Sequence, residues 1–112
     1  MLNLNTLNAQ NNTISDLSPI NSLSLLNNLY VADNNLTNVD LSSLHNLYNV
    51  SVVDNQITQL LLPDSTSIYL NLSLNNNILH SLIFPQTLRV RSLNLENNPL
   101  DSIDVSTLYD LY

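Results

Sequence analysis

The spacing of one residue constrains this chain more than any other feature. Asparagine recurs at Asn12, Asn34, Asn55, Asn77 and Asn98, in steps of 22, 21, 22 and 21 residues, each time inside the pattern L-x-x-L-x-L-x-x-N-x-L. With other apolar residues allowed at the Leu positions, the matches are Leu4, Leu7, Ala9, Asn12, Ile14; Leu26, Leu29, Val31, Asn34, Leu36; Leu47, Val50, Val52, Asn55, Ile57; Tyr69, Leu72, Leu74, Asn77, Leu79; and Val90, Leu93, Leu95, Asn98, Leu100. A fixed period of this length marks a solenoid, in which no unit buries its apolar face alone and each packs on its neighbours. The repeats run 4–25, 26–46, 47–68, 69–89 and 90–110 of a single domain over 1–112, with nothing left over between them.

Within each motif the x-L-x-L-x stretch alternates apolar and polar residues, as a strand with one buried face does. Strands are therefore expected near Leu7–Ala9, Leu29–Val31, Val50–Val52, Leu72–Leu74 and Leu93–Leu95, stacked as a parallel sheet roughly 20 Å across at about 4.8 Å per strand. The motif Asn sits where the chain leaves the strand and turns inward, where backbone groups outside the ladder still need partners. Its amide offers two donors and an acceptor, so Asn12, Asn34, Asn55, Asn77 and Asn98 are expected to form a structural ladder from repeat to repeat. Glycine, the easiest source of positive φ, is absent from the chain. The residue before each motif Asn is Asn11, Asp33, Asp54, Asn76 or Asn97, and Asx side chains tolerate the left-handed region. They are expected to take the turn.

The second half of each repeat carries the apolar residues that close the coil: Leu17, Ile20, Leu23; Val39, Leu41, Leu44; Leu60, Leu62, Ile68; Leu82, Phe84, Leu88; Ile103, Val105, Leu108. Pro19, Pro63 and Pro85 fall in these segments and resist helix interiors. Extended or 3-10 turns are predicted on the outer side.

These motifs resemble the leucine-rich-repeat superfamily over essentially the whole chain. The stretch Asn12-Thr13-Ile14-Ser15-Asp16-Leu17-Ser18-Pro19-Ile20 is similar to the 22-residue class of bacterial internalins and phosphatase-regulator repeats. Leu36–Leu44 is similar to the 21-residue repeats of bacterial surface proteins, and Leu61-Leu62-Pro63-Asp64-Ser65 followed by Tyr69–Asn77 to bacterial repeats that open with a Leu-Pro turn. The resemblance implies a strand-dominated α/β solenoid, right-handed, with a short-stranded parallel sheet on a concave, ligand-binding face. The chain departs from the family in having no glycine and no visible flanking caps.

Side chains leaving the inner sheet are expected at Thr6, Asn8, Gln10; Asn28, Tyr30, Ala32; Asn49, Ser51, Val53; Asn71, Ser73, Asn75; and Ser92, Asn94, Glu96, with Tyr48, Leu70 and Arg91 at the margin. Interface anchors favour Tyr and Arg, which singles out Tyr30, Tyr48 and Arg91. The expected partner-binding set is Asn28, Tyr30, Tyr48, Asn49, Ser51, Val53, Asn71, Ser73, Arg91, Asn94 and Glu96, on a non-catalytic module that binds a protein. The competing reading is a structural or surface array with no specific ligand.

Nine acidic and two basic residues give a net charge of −7, which opposes nucleic-acid phosphates and anionic membranes. Without cysteine or glycine there is no thiolate chemistry and no glycine-rich phosphate loop. His45 and His80 occupy different repeat positions without an evident carboxylate partner, so no catalytic residue, cofactor or metal is expected. The one cation alternative is Asp33 with Asp54, aligned in adjacent repeats, but turn chemistry explains both equally well. Met1-Leu2-Asn3-Leu4-Asn5 lacks the basic start and apolar run of a signal peptide, and no apolar stretch is long enough to span a bilayer. Those features make a cytoplasmic location the default, and a surface location the expectation for a fragment of a longer array. The sequons Asn11-Asn12-Thr13, Asn35-Leu36-Thr37, Asn49-Val50-Ser51 and Asn71-Leu72-Ser73 arise easily in so Asn-rich a chain. Repeat one begins almost at the first residue and a sixth would begin at Leu111-Tyr112. Uncapped solenoid ends expose apolar surface and strand edges, so self-association through the ends is a further expectation.

Overall fold

The computed structural model describes residues 3–108, so the possible sixth repeat at Leu111-Tyr112 lies outside the described residues. The chain is a strand-dominated parallel-sheet solenoid. Among the described residues seven strands occur in order: β1 (Thr6–Asn8), β2 (Asn28–Tyr30), β3 (Asn38–Asp40), β4 (Asn49–Ser51), β5 (Gln59–Leu61), β6 (Leu70–Ser73) and β7 (Val90–Asn94). The inner sheet takes one strand from each repeat in the order β1-β2-β4-β6-β7, all parallel. Each inner strand starts earlier than expected, but the ladder runs past its end. Ala9 N–H donates to Tyr30 O at 2.8 Å, Val31 to Ser51 O at 2.9 Å, Val52 to Ser73 O at 3.0 Å and Leu74 to Asn94 O at 2.9 Å.

The alternating residues bury as the pattern requires. Leu29, Val31, Val50, Val52, Leu72 and Leu74 all lie in the core, each aliphatic side chain adding about 1.5–3 kcal/mol by leaving water. The expected amide ladder is present. Asn55 donates to Val31 O (3.2 Å) of the preceding repeat and to Val52 O (3.0 Å) of its own, while its Oδ1 accepts the Leu36 N–H at 3.0 Å. Asn34 does the same with Ala9 O, Val31 O and the Ile14 N–H, and Asn77 with Val52 O, Leu74 O and the Ile57 N–H. Asn98 continues the series with Leu74 O, Leu95 O and the Leu79 N–H. Each amide thus satisfies backbone groups of two successive repeats. Asn12, in the first repeat, is exposed and its side chain bonds only its own turn, at Ala9 O and Gln10 O.

The turn falls to the preceding residue. Asn11, Asp33, Asp54, Asn76 and Asn97 have φ of 60°, 57°, 58°, 60° and 57°, the left-handed region that glycine fills elsewhere. Asx residues replace it because a short polar side chain pays a smaller steric penalty there than other types.

Among the described residues the outer side holds one 3-10 turn, Ser18–Ser22, with Pro19 in its first turn. It also holds a second sheet that the sequence reading did not anticipate, β3 paired in parallel with β5. Val39 and Leu60 point inward from it, flanked by exposed neighbours. In repeats two and five, Asp40 and Asp104 accept the N–H of the serine two residues on, at 2.9 Å in both cases, and Asp16 does so with Ser18 at 2.8 Å.

Three expectations about the core need correcting. Ile68, Ile103 and Val105 were expected to close the coil, but they are 52%, 39% and 43% exposed. In repeat four the first core position belongs to Leu70, not Tyr69. Leu70 pairs with Val90 and is fully buried, as are Leu26, Leu47 and Val90 in their repeats. Leu70 is therefore no margin residue, and Tyr69 is displaced to the side of the sheet. The pairing skips a residue here, because Leu70 faces Val90 while Asn71 faces Ser92. Arg91 is the extra residue, in the manner of a β-bulge.

Candidate functional site

The parallel register sorts the outward-facing side chains into columns. Thr6, Asn28, Asn49, Asn71 and Ser92 align across the five strands. They also bond to one another without a break. Asn28 Nδ2 donates to Thr6 Oγ1 at 3.0 Å, Asn49 Nδ2 to Asn28 Oδ1 at 2.9 Å, Asn71 Nδ2 to Asn49 Oδ1 at 3.1 Å and Ser92 Oγ to Asn71 Oδ1 at 2.9 Å. A period matched to the strand spacing places identical amides one rung apart, within hydrogen-bond reach. Asn28, Asn49 and Asn71, all expected to meet a partner, are engaged with each other.

The next column, Asn8, Tyr30, Ser51, Ser73 and Asn94, is different. Tyr30, Ser51 and Ser73 are half-buried, and their hydroxyls make no hydrogen bond among the described residues. With Asn49 and Asn71 they border a shallow hollow of about 200 Å³. The tyrosine ring stands beside two small side chains, so the hollow follows from a size difference along one column. Asn94 is exposed and its Oδ1 accepts the Glu96 N–H at 3.1 Å. Val53 is half-buried and Glu96 exposed, both beyond the strand ends, while Tyr48 is half-buried at the strand entrance.

The Arg91 side chain lies at that same entrance, with its guanidinium 5.8 Å from the centre of the Tyr69 ring; Arg89 lies at 5.7 Å from the same ring. Both distances fall within the range of a cation–π contact. The reading of the sequence missed Tyr69 and Arg89. A signal was present: Leu70, Leu72 and Leu74 keep strict alternation, which puts Leu70 inside and Tyr69 out.

The histidines also differ from expectation, since each has a carboxylate neighbour in the following repeat. His45 Nδ1 lies 3.6 Å from Asp64 and 3.0 Å from the Ser65 carbonyl, and His80 Nδ1 lies 3.8 Å from Asp101. The pairs are well exposed and on separate repeats. Of the two aligned aspartates, Asp54 accepts the Asn76 amide at 2.7 Å, and Asn97 in turn donates to Asn76 Oδ1 at 2.8 Å. That column is a third run of Asx bonds along the turn.

No protein-family model matches the chain, and no curated protein matches its sequence. Among solved structures it is similar to a chain of the Toll–Spätzle complex, described as a molecular hub in Drosophila development and innate immunity. The TM-score is 0.64 at 24% identity, over 91% of this chain and 16% of that one. The fold matches a leucine-rich-repeat protein. The chain spans about a sixth of the length of that neighbour, and the likeness concerns architecture.

Proposed function

We propose that the chain is a non-catalytic protein-binding module whose partner lies on the inner sheet across repeats two to four. The observation that carries this reading is the hollow beside Tyr30, where three hydroxyls with no internal partner stand next to a column of amides that hold one another in place. A surface fixed in advance loses little side-chain freedom on association, and tyrosine is a favoured anchor. Tyr30, Tyr48, Ser51, Ser73 and Val53 are the contact residues in this reading. Asn28, Asn49 and Asn71 set the surface, and Arg91, Asn94 and Glu96 form the rim. The structural neighbour was solved in a protein complex, which supports a protein as ligand. The finer resemblance to internalin-like repeats rests on the sequence motifs alone.

The engaged amide column favours the rival reading, an array without a specific ligand, because it removes the most numerous polar groups from recognition. Quantitative co-purification from the source cell separates the two. Ser51→Arg with Ser73→Arg should lower capture of any specific partner about tenfold or more, while Thr58→Arg with Gln59→Arg on the outer side should not. Equal capture by all three proteins removes the inner face from the account. If nothing is captured reproducibly, the array reading stands.

A further inference from the structure

Repeats three and four are tied to each other at two points on the outer side and stand apart between them. Ile78 N–H donates to Ile57 O at 3.1 Å, and Thr87 Oγ1 donates to Asp64 O at 2.5 Å. The arc between these ties runs from 57 to 64 in repeat three and from 78 to 87 in repeat four, two residues longer. The arcs enclose a gap of about 260 Å³ bordered by Leu60, Leu61, Ile83 and Pro85. Leu61 and Ile83 flank it as 45% and 81% exposed apolar side chains.

One wall of the gap is the open edge of β5. Gln59 N–H reaches Thr37 O of the preceding repeat at 3.5 Å, and Leu61 O accepts the Leu41 N–H at 2.8 Å. Successive residues of a strand direct their N–H and C=O to opposite sides, so those of Leu60 point away from β3 and into the gap. Among the described residues no strand of repeat four pairs with them. On the other wall, Pro85 has no N–H to give. The inner strands of the same two repeats do pair, β4 with β6, so the interruption is confined to the outer side.

We infer that the β5 edge is a strand-addition site, and that its occupant is an extended segment of a partner protein in which apolar residues alternate with lysine or arginine. An open edge offers a row of main-chain groups to an incoming strand. The segment pairs with the Leu60 N–H and C=O, and its apolar side chains cover Leu61 and Ile83. Its charge follows from the surroundings. No basic side chain borders the gap, and the whole chain carries −7. Across Leu61 lies a second depression, of about 100 Å³, bordered by Asp40. A lysine or arginine stem lying over Leu61 keeps its methylenes on apolar surface and brings its charge toward that carboxylate. A second copy of this chain is opposed by its own negative charge. The site lies on the side away from the inner sheet, and neither proposal depends on the other.

The test is an NMR titration of the whole chain that follows backbone amides and their hydrogen exchange. The probe is an acetylated pentapeptide amide alternating valine and lysine. Two comparison peptides carry glutamate in place of lysine, or N-methyl groups at all residues. The lysine peptide should shift the Leu60 amide saturably with a Kd of about 1 mM and slow its exchange. The comparison peptides should bind about tenfold more weakly or worse, and Ile83→Ser should weaken the lysine peptide about threefold. Thr58→Arg with Gln59→Arg, which leaves a partner on the inner face bound, sets two cations beside the gap and should abolish the effect. Ser51→Leu with Ser73→Leu, which fills the inner hollow, should leave it intact, so that loss of the concave proposal and loss of this one are told apart. The inference is overturned by absence of saturation, by shifts that bypass Leu60, by equal binding of either comparison peptide, or by unchanged affinity in Ile83→Ser or in the arginine variant. Protection of Leu60 that rises with the concentration of the free chain would assign the edge to a second copy and overturn it as well.

Discussion

Two columns of asparagine run through the same repeats, share one period and differ in what they touch. Asn34, Asn55 and Asn77 are 4%, 7% and 4% exposed and bond to backbone groups of two successive repeats. Asn28, Asn49 and Asn71 are half-buried on the inner face and bond to side chains. In the first column, losing the side chain strands buried backbone groups where water does not reach. In the second, water takes the vacated place. Residue type and spacing are equal, so burial and the nature of the partner decide the energetic weight.

The contrast breaks most visibly at the centre of the buried column. Asn55→Ala strands the buried Leu36 N–H, while the carbonyls of Val31 and Val52 keep the amides of Asn34 and Asn77. At about 1–3 kcal/mol for one unpaired buried group, a loss toward the upper end of that range is expected in urea unfolding. A loss below about 1 kcal/mol would make the two columns equivalent and refute the distinction. Asn49→Ala removes two bonds at a half-exposed site and should cost about 0.5–1.5 kcal/mol. A double-mutant cycle with Asn71 should give a coupling near the lower end of that range, measurable because the pair bonds directly.

The smallest effect belongs to the outer turns, where Asx chemistry involves charge. The Ser42 hydroxyl and N–H hold the Asp40 carboxyl below its usual value, the Ser106 hydroxyl and N–H do so for Asp104, and chiefly the Ser18 N–H for Asp16. A folded-state pKa below the unfolded one gives stability that is present at neutral pH and is lost as pH falls through the folded value. These groups are exposed, so the acid-induced loss should be slight and begin below about pH 4. Asp40→Asn should accordingly destabilise more at pH 7 than at pH 3. Equal destabilisation at both would show that ionisation contributes nothing there.

The parts of this fold that repeat in register were legible in the sequence. The motif Asn, the Asx before it and the alternating Leu each recur five times, and the local steric and hydrogen-bonding demands at those positions leave little choice. What broke the period was harder to read. Tyr69 fits an apolar slot by type and so masked the alternation of Leu70, Leu72 and Leu74, which the pairing of Leu70 with Val90 makes plain. The concave amides could be read as outward-facing, but side-chain bonds between repeats depend on rotamers that composition does not specify. The pairing of β3 with β5 also depends on how closely two outer segments approach, and no local preference encodes that.

That second sheet bears on stiffness. Repeats two and three are strapped on both sides, by β2 with β4 on the inner face and β3 with β5 on the outer. Hydrogen-bonded strands hold a separation of about 4.8 Å, so neither face of that pair is free to lengthen and the two coils bend little against each other. After β5 the outer strap ends, and a gap of about 260 Å³ bordered by Leu61, Ile83 and Pro85 opens toward repeat four. Among the described residues no strand pair bridges that joint on the outer face, so it resists bending less than the joint between repeats two and three.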